Sequence, residues 1–179
     1  MLKEKKSLPA GTAFLVSALM IYPAFSAISV DLDRQIMRFD YQFSTDNNDL
    51  ESLEALTLNV ERGLRFAHKL MGIKPSLSTV TRRLADSVFV ASWERDMDSL
   101  SEQEVDVVHE LLLDYYEDHE IEIDDSYLDT DQFYHFERVF DELFHHVQEM
   151  DHSIRLRAYR DSGMIYVHSI PKSDSATGV

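Results

Sequence analysis

The amino-acid sequence predicts an α+β domain. An N-terminal and a C-terminal β-hairpin form one antiparallel sheet packed against about four helices, after a cleavable N-terminal signal segment. Three patterns carry this reading: apolar and polar residues alternate near both ends, apolar residues recur every three or four positions between them, and an uncharged apolar run opens the chain. A length of 179 residues fits one domain, since a second core would leave each half thin.

Lys3, Lys5 and Lys6, diluted only by Glu4, precede a stretch from 7 to 30 without a charged residue. Within it, residues 10–22 are compactly apolar, Pro23 breaks any helix, and Ala24, Phe25 and Ser26 place small residues at the positions a signal peptidase inspects. That order is the order of a secretory signal, with cleavage expected after Ser26. Two other readings stand beside it. The uncharged run is long enough to serve as a retained membrane anchor, and residues 10–28 also fit a buried helix of a cytosolic protein. Either export reading leaves the remainder outside the cytoplasm, because the lysines stay inside. The expected division is a signal peptide at 1–26, a single domain at 27–171 and a loose tail at 172–179.

The chain has no cysteine and no Asn-x-Ser/Thr acceptor. Small secreted eukaryotic domains usually carry disulfides, so both features favour a bacterial, periplasmic or secreted protein. They also exclude thiolate metal ligands, a cysteine nucleophile and redox chemistry.

Ile28, Val30 and Leu32, then Met37, Phe39, Tyr41 and Phe43, recur with period two around a turn at Asp33, Arg34 and Gln35. Asn48 with Glu51 has capping spacing, and Leu50, Leu53, Leu56, Val60, Leu64, Ala67 and Met71 follow at helical intervals until Gly72 and Pro75 stop them. Leu77, Val80, Leu84, Val88 and Ala91 predict a second helix, capped by Ser76 or Ser78 and reaching Trp93 or Met97. Ser101 and Glu104 form a capping box ahead of Val105, Val108, Leu111, Leu112 and Tyr115. An acidic connector at 117–131 offers a short edge strand around Ile121 and Ile123, and Phe133, Phe136, Phe140, Leu143, Val147 and Met150 then mark the strongest helix. Ile154, Leu156 and Ala158, the turn-forming Asp161, Ser162 and Gly163, and residues 164–170 make the closing hairpin.

Charge is distributed unevenly. Between Glu94 and Asp151 there are 21 Asp and Glu against two basic residues, Arg95 and Arg138, in a chain of net charge −16. Such a surface repels phosphate, which argues against direct nucleic-acid binding. It serves solubility, or steers a basic protein partner, with Asp118, Glu120, Glu122, Asp124 and Asp125 expected in the contact region. The same carboxylates lack EF-hand spacing.

No motif singles out a catalytic residue, a metal-ligand set or a cofactor. Glu142 and His145, like Asp106 and His109, have the three-residue step of di-iron helices, but Glu142 and His145 fall off the apolar stripe of their helix. His145 and His146 near Glu149, or His135 with Glu142, are simpler zinc candidates, and helix-surface histidines are ordinarily solvated. Arg155, Arg157 and Arg160 cluster on the last hairpin, either as the polar face of a half-exposed sheet paired with the acidic helices or as a docking edge. The sequence therefore points to an exported, non-catalytic, acidic protein-binding accessory factor: a chaperone, inhibitor, immunity protein or secretion or transfer factor. An exported hydrolase using carboxylate or histidine chemistry and a cytosolic acidic DNA mimic are the alternatives.

Overall fold

The structure is a computed structural model and describes residues 10–46, 49–119, 121, 130–147 and 155–170. Its element order is α1 (Ala10–Ile21), β1 (Ala27–Asp31), β2 (Ile36–Ser44), α2 (Leu50–Met71), β3 (Ser78–Ala85), β4 (Val88–Asp96), α3 (Glu102–Asp118), α4 (Thr130–Phe144), β5 (Arg155–Asp161) and β6 (Met164–Ser169). The six strands form one antiparallel open sheet in the order β3-β4-β2-β1-β5-β6, so the first and last hairpins meet through β1 and β5.

Residues directly opposite one another in an antiparallel ladder share a face. Val80, Trp93, Phe39, Ile28, Ala158 and Val167 are consecutive partners and make one apolar row across all six strands. The next row, Thr79, Glu94, Arg38, Ser29, Arg157 and His168, is polar and belongs to the opposite face. The described helices cover the apolar face: α2 lies over β3 and β4, while α1, backed by α4, lies over β1, β5 and β6.

α1 is apolar nearly all round, as a helix enclosed by a core must be. Phe14, Leu15, Ala18 and Leu19 are buried, and Phe14 stacks on Phe140 of α4 at 5.3 Å between ring centroids. Pro23 ends the helix, and the chain enters the sheet at once: Ser26 N–H donates to Asp40 O and Ser26 O accepts from Arg160 N–H, each at 2.9 Å. No helix among the described residues is long and apolar enough to cross a membrane.

The first hairpin, the last hairpin, α2, α3 and α4 occupy the segments expected of them. α2 ends on Gly72 in the left-handed conformation (φ 68°), with the Gly72 and Ile73 N–H groups closing on His68 O. Its N-cap is Asp49; Asn48 lies outside the described residues. The expected helix over 76–97 is instead the hairpin of β3 and β4. Val80 and Leu84 satisfy a helical stripe, yet Phe89, Ala91 and Trp93 alternate with Val90 and Ser92, and β-branched Thr79, Val80 and Thr81 favour a strand. The turn uses Asp86 at φ 53°, a conformation Asp tolerates better than most residues. The expected edge strand at Ile121 does not form there, and Ile123 lies outside the described residues.

One charged residue interrupts the apolar face. Arg95 of β4 is fully buried and donates to both carboxylate oxygens of Glu104 (2.9 and 3.1 Å), to Asp96 and to Ser99 O (2.8 Å). Glu104, also fully buried, is the third residue of the α3 capping box and accepts the Ser101 N–H at 2.9 Å. His68 of α2 meets Glu104 Oε1 at 2.6 Å. Burial alone would raise both carboxyls. Arg95, the Ser101 N–H and His68 override it at Glu104, and the Leu77 N–H, Ser99 and Arg95 hold Asp96 at about 2. Since Glu104 is ionised and can only accept, the His68 Nε2–H donates.

Arg95→Met leaves Glu104 charged, buried and short of its main partner. We expect a loss of about 3–5 kcal/mol, seen as a lower urea midpoint with an unchanged slope. The stability owed to Asp96 is complete above its ordinary 3.8 and is lost as pH falls toward about 2.

Candidate functional site

α2 and α3 cross closely at Gly63. A Cβ added there would meet Leu111 Cδ1 at 2.8 Å, so glycine lets the two helices approach. Beside the crossing runs a groove of about 470 Å³ lined by Gly63, Phe66, Ala67, Leu70, Val107 and Leu111 among others. Phe66 and Leu70 stand 64% and 71% exposed, well beyond what isolated surface apolar residues require. The helical period explains them. In α2 the core takes Leu53, Leu56, Thr57, Val60, Leu64 and Ala67, while Phe66 and Leu70 project beside that stripe.

The α3 side of the groove is acidic. Asp106, Glu110 and Asp114 follow one another at intervals of four along α3 and line the groove. Arg62 and Lys69 occupy the exposed outer row of α2. Asp106 also accepts a 2.9 Å hydrogen bond from the Tyr22 hydroxyl, which ties this rim to the end of α1. Burial first, and Asp106 second, push the Tyr22 phenol upward.

At the start of α3, Glu102 stands among Asp106, Asp141 and Glu137. Burial and then repulsion from Asp141 and Asp106 raise it from 4.5 to about 6.

Of the residues expected in a contact region, Asp118 is exposed at the end of α3, whereas Glu120, Glu122, Asp124 and Asp125 lie outside the described residues. The histidine motifs separate. His109 is buried, while Glu142, His145, His146 and His135 are exposed on or just beyond α4, and Glu149 lies outside the described residues. Among the described residues no three ligand-type side chains converge on a metal position.

Arg155 and Arg157 of the last hairpin pair with carboxylates of the first hairpin. Arg155 meets Asp31 and Asp33, and Arg157 meets Asp40 at 2.7 Å, where Arg38 also binds at 2.7 Å. Arg160 donates to Leu19 O, holding α1 to β5. Phe66, Leu70 and the acidic rim of α3 were legible in the sequence only as leftovers. Phe66 and Leu70 are apolar residues outside a stripe that was already complete.

No protein-family model matches this chain, and no curated protein and no solved structure matches it either.

Glu102 binds its proton more tightly in the folded chain than in the unfolded one. Its contribution to stability is full below 4.5 and is lost as pH rises through about 6. Glu102→Gln is therefore expected to raise the thermal midpoint above that window, and the gap from the parent should close below it. Melting curves across the window check this.

Proposed function

We propose that the chain is a non-catalytic protein-binding accessory protein that holds an amphipathic helical segment of a partner in the α2–α3 groove. The observation that carries this reading is the coincidence of Phe66 and Leu70, largely exposed, with an acidic row running the length of the same groove. An apolar stripe on the partner fills the groove, and basic residues on one flank lie along Asp106, Glu110 and Asp114. A net charge of −16 steers such a segment from a distance. The burial of α1 supports residues 10–21 remaining part of the protein that does this work.

The probe is a synthetic amphipathic helix with a leucine stripe and lysines along one flank, followed by fluorescence anisotropy with the full chain. We expect saturable binding that weakens as salt is added, and at least a tenfold loss in Phe66→Asp or Leu70→Asp. Replacing the peptide lysines by glutamates should abolish binding. Indifference to either groove substitution or to peptide charge overturns the proposal. So does sedimentation showing a dimer that the same substitutions dissolve, because the groove would then belong to a second copy.

A further inference from the structure

Between α2 and the edge strand β3 lies a cavity of about 400 Å³ whose polar walls include His68 and Ser78. Both side chains are held from behind. His68 gives its Nε2–H to the buried Glu104 at 2.6 Å, and Arg95 fixes Glu104 in turn. A carboxylate behind one ring nitrogen sets the tautomer, so in the neutral ring Nδ1 is an acceptor. Nδ1 has no partner among the described residues and is not enclosed, so it opens to solvent where His68 lines the cavity. Ser78 Oγ accepts the Trp93 Nε1–H at 3.3 Å, and its own hydrogen remains to donate. Glu61 and Arg65 line the outer part of the same cavity. They approach one another only to 3.7 Å, with the Arg65 side chain 67% exposed, so each charge keeps capacity for a further partner.

We propose that this cavity binds a free α-amino acid with an apolar side chain, held as the zwitterion. Its ammonium donates to His68 Nδ1 and to Glu61, and its carboxylate accepts from Ser78 and from Arg65. Its side chain rests on Leu64, Pro75 and Val80, which supply the apolar wall. The site offers two acceptors and two donors. An ammonium and a carboxylate on one carbon match all four, whereas an ion of a single sign leaves one pair unmatched. The charges of Glu61 and Arg65 cancel, so the cavity favours a ligand of no net charge. The chain as a whole, at −16, repels a lone carboxylate and not a zwitterion. Sites of roughly 300–1,000 Å³ with a few fixed polar groups suit ligands of this size.

The cavity lies on the β3 side of α2 and shares no lining residue with the α2–α3 groove, so the two readings stand apart. The full chain, with its histidine rings nitrogen-15 labelled, is titrated with leucine, with isocaproate, which lacks the ammonium, and with isoamylamine, which lacks the carboxylate. The expected result is a saturable shift of the His68 signal by leucine, with both analogues about tenfold weaker. Glu61→Gln should weaken leucine and isoamylamine and spare isocaproate. Arg65→Gln should weaken leucine and isocaproate and spare isoamylamine. Neither residue is in the buried core, so both variants keep the fold. Phe66→Asp should leave leucine affinity unchanged. Equal affinity for leucine and either analogue overturns the proposal. So does leucine binding that leaves the His68 signal unmoved or survives both substitutions, and so does no binding up to the solubility of leucine.

Discussion

The width of the apolar sheet face governs the rest of the molecule. Six strands at a spacing of about 4.8 Å span about 24 Å, and a packed helix covers about 10 Å of that. One layer of helices must therefore contain at least two columns. α2 and α3 supply the column over β3, β4 and β2, with Tyr115 set against Phe43. The other half, over β1, β5 and β6, is left to α1 and α4. α4 buries only Phe140 and Phe144 within its span, so most of that column is α1. The N-terminal segment is thus the larger part of the cover over half the sheet.

The two columns are secured differently. The α1 column is held mainly by apolar contact, and its few polar ties run from Arg160 to Leu19 O, from Tyr116 to Ala24 O and from the Tyr22 hydroxyl to Asp106. The α2–α3 column is pinned by a buried ion network. Arg95 binds Glu104, Glu104 caps α3, and His68 brings α2 to the same carboxylate. Such a network contributes little net stability beside an apolar substitute, but it fixes orientation, because one guanidinium is shared between Glu104 of α3 and the Asp96 and Ser99 groups that precede it. With the start of α3 fixed against α2 and Gly63 allowing close approach, Phe66 and Leu70 stay outside the contact. The groove is the surface that remains.

Much of this fold is legible in the sequence because local signals agree with the final structure. The Ser101 and Glu104 capping box, Gly72 after α2, and the Ser162 and Gly163 turn each specify a local geometry that tertiary packing leaves alone. The β3–β4 hairpin was hidden because its apolar spacing satisfies two periods at once. Val80 and Leu84 are four apart, which suits a helix and, equally, alternate positions of a strand. The pairing of Arg95 with Glu104 across nine residues was invisible for another reason. A charged residue in a strand reads as solvent-facing until its partner is placed. The charge excess of the second half pointed toward an acidic surface, but the carboxylates that line the groove, on α3, are not those of the connector that the densest charge run suggested.

Residues 10–26 pack as part of the fold. Urea unfolding of the full chain beside a chain beginning at Ala27 tests it most directly. Losing Phe14, Leu15, Ala18 and Leu19 uncovers Ile28, Val30 and Ala158. The shortened chain should show no cooperative transition, while the full chain shows a single one. A shortened chain that unfolds cooperatively, with the midpoint and slope of the full chain, would contradict it.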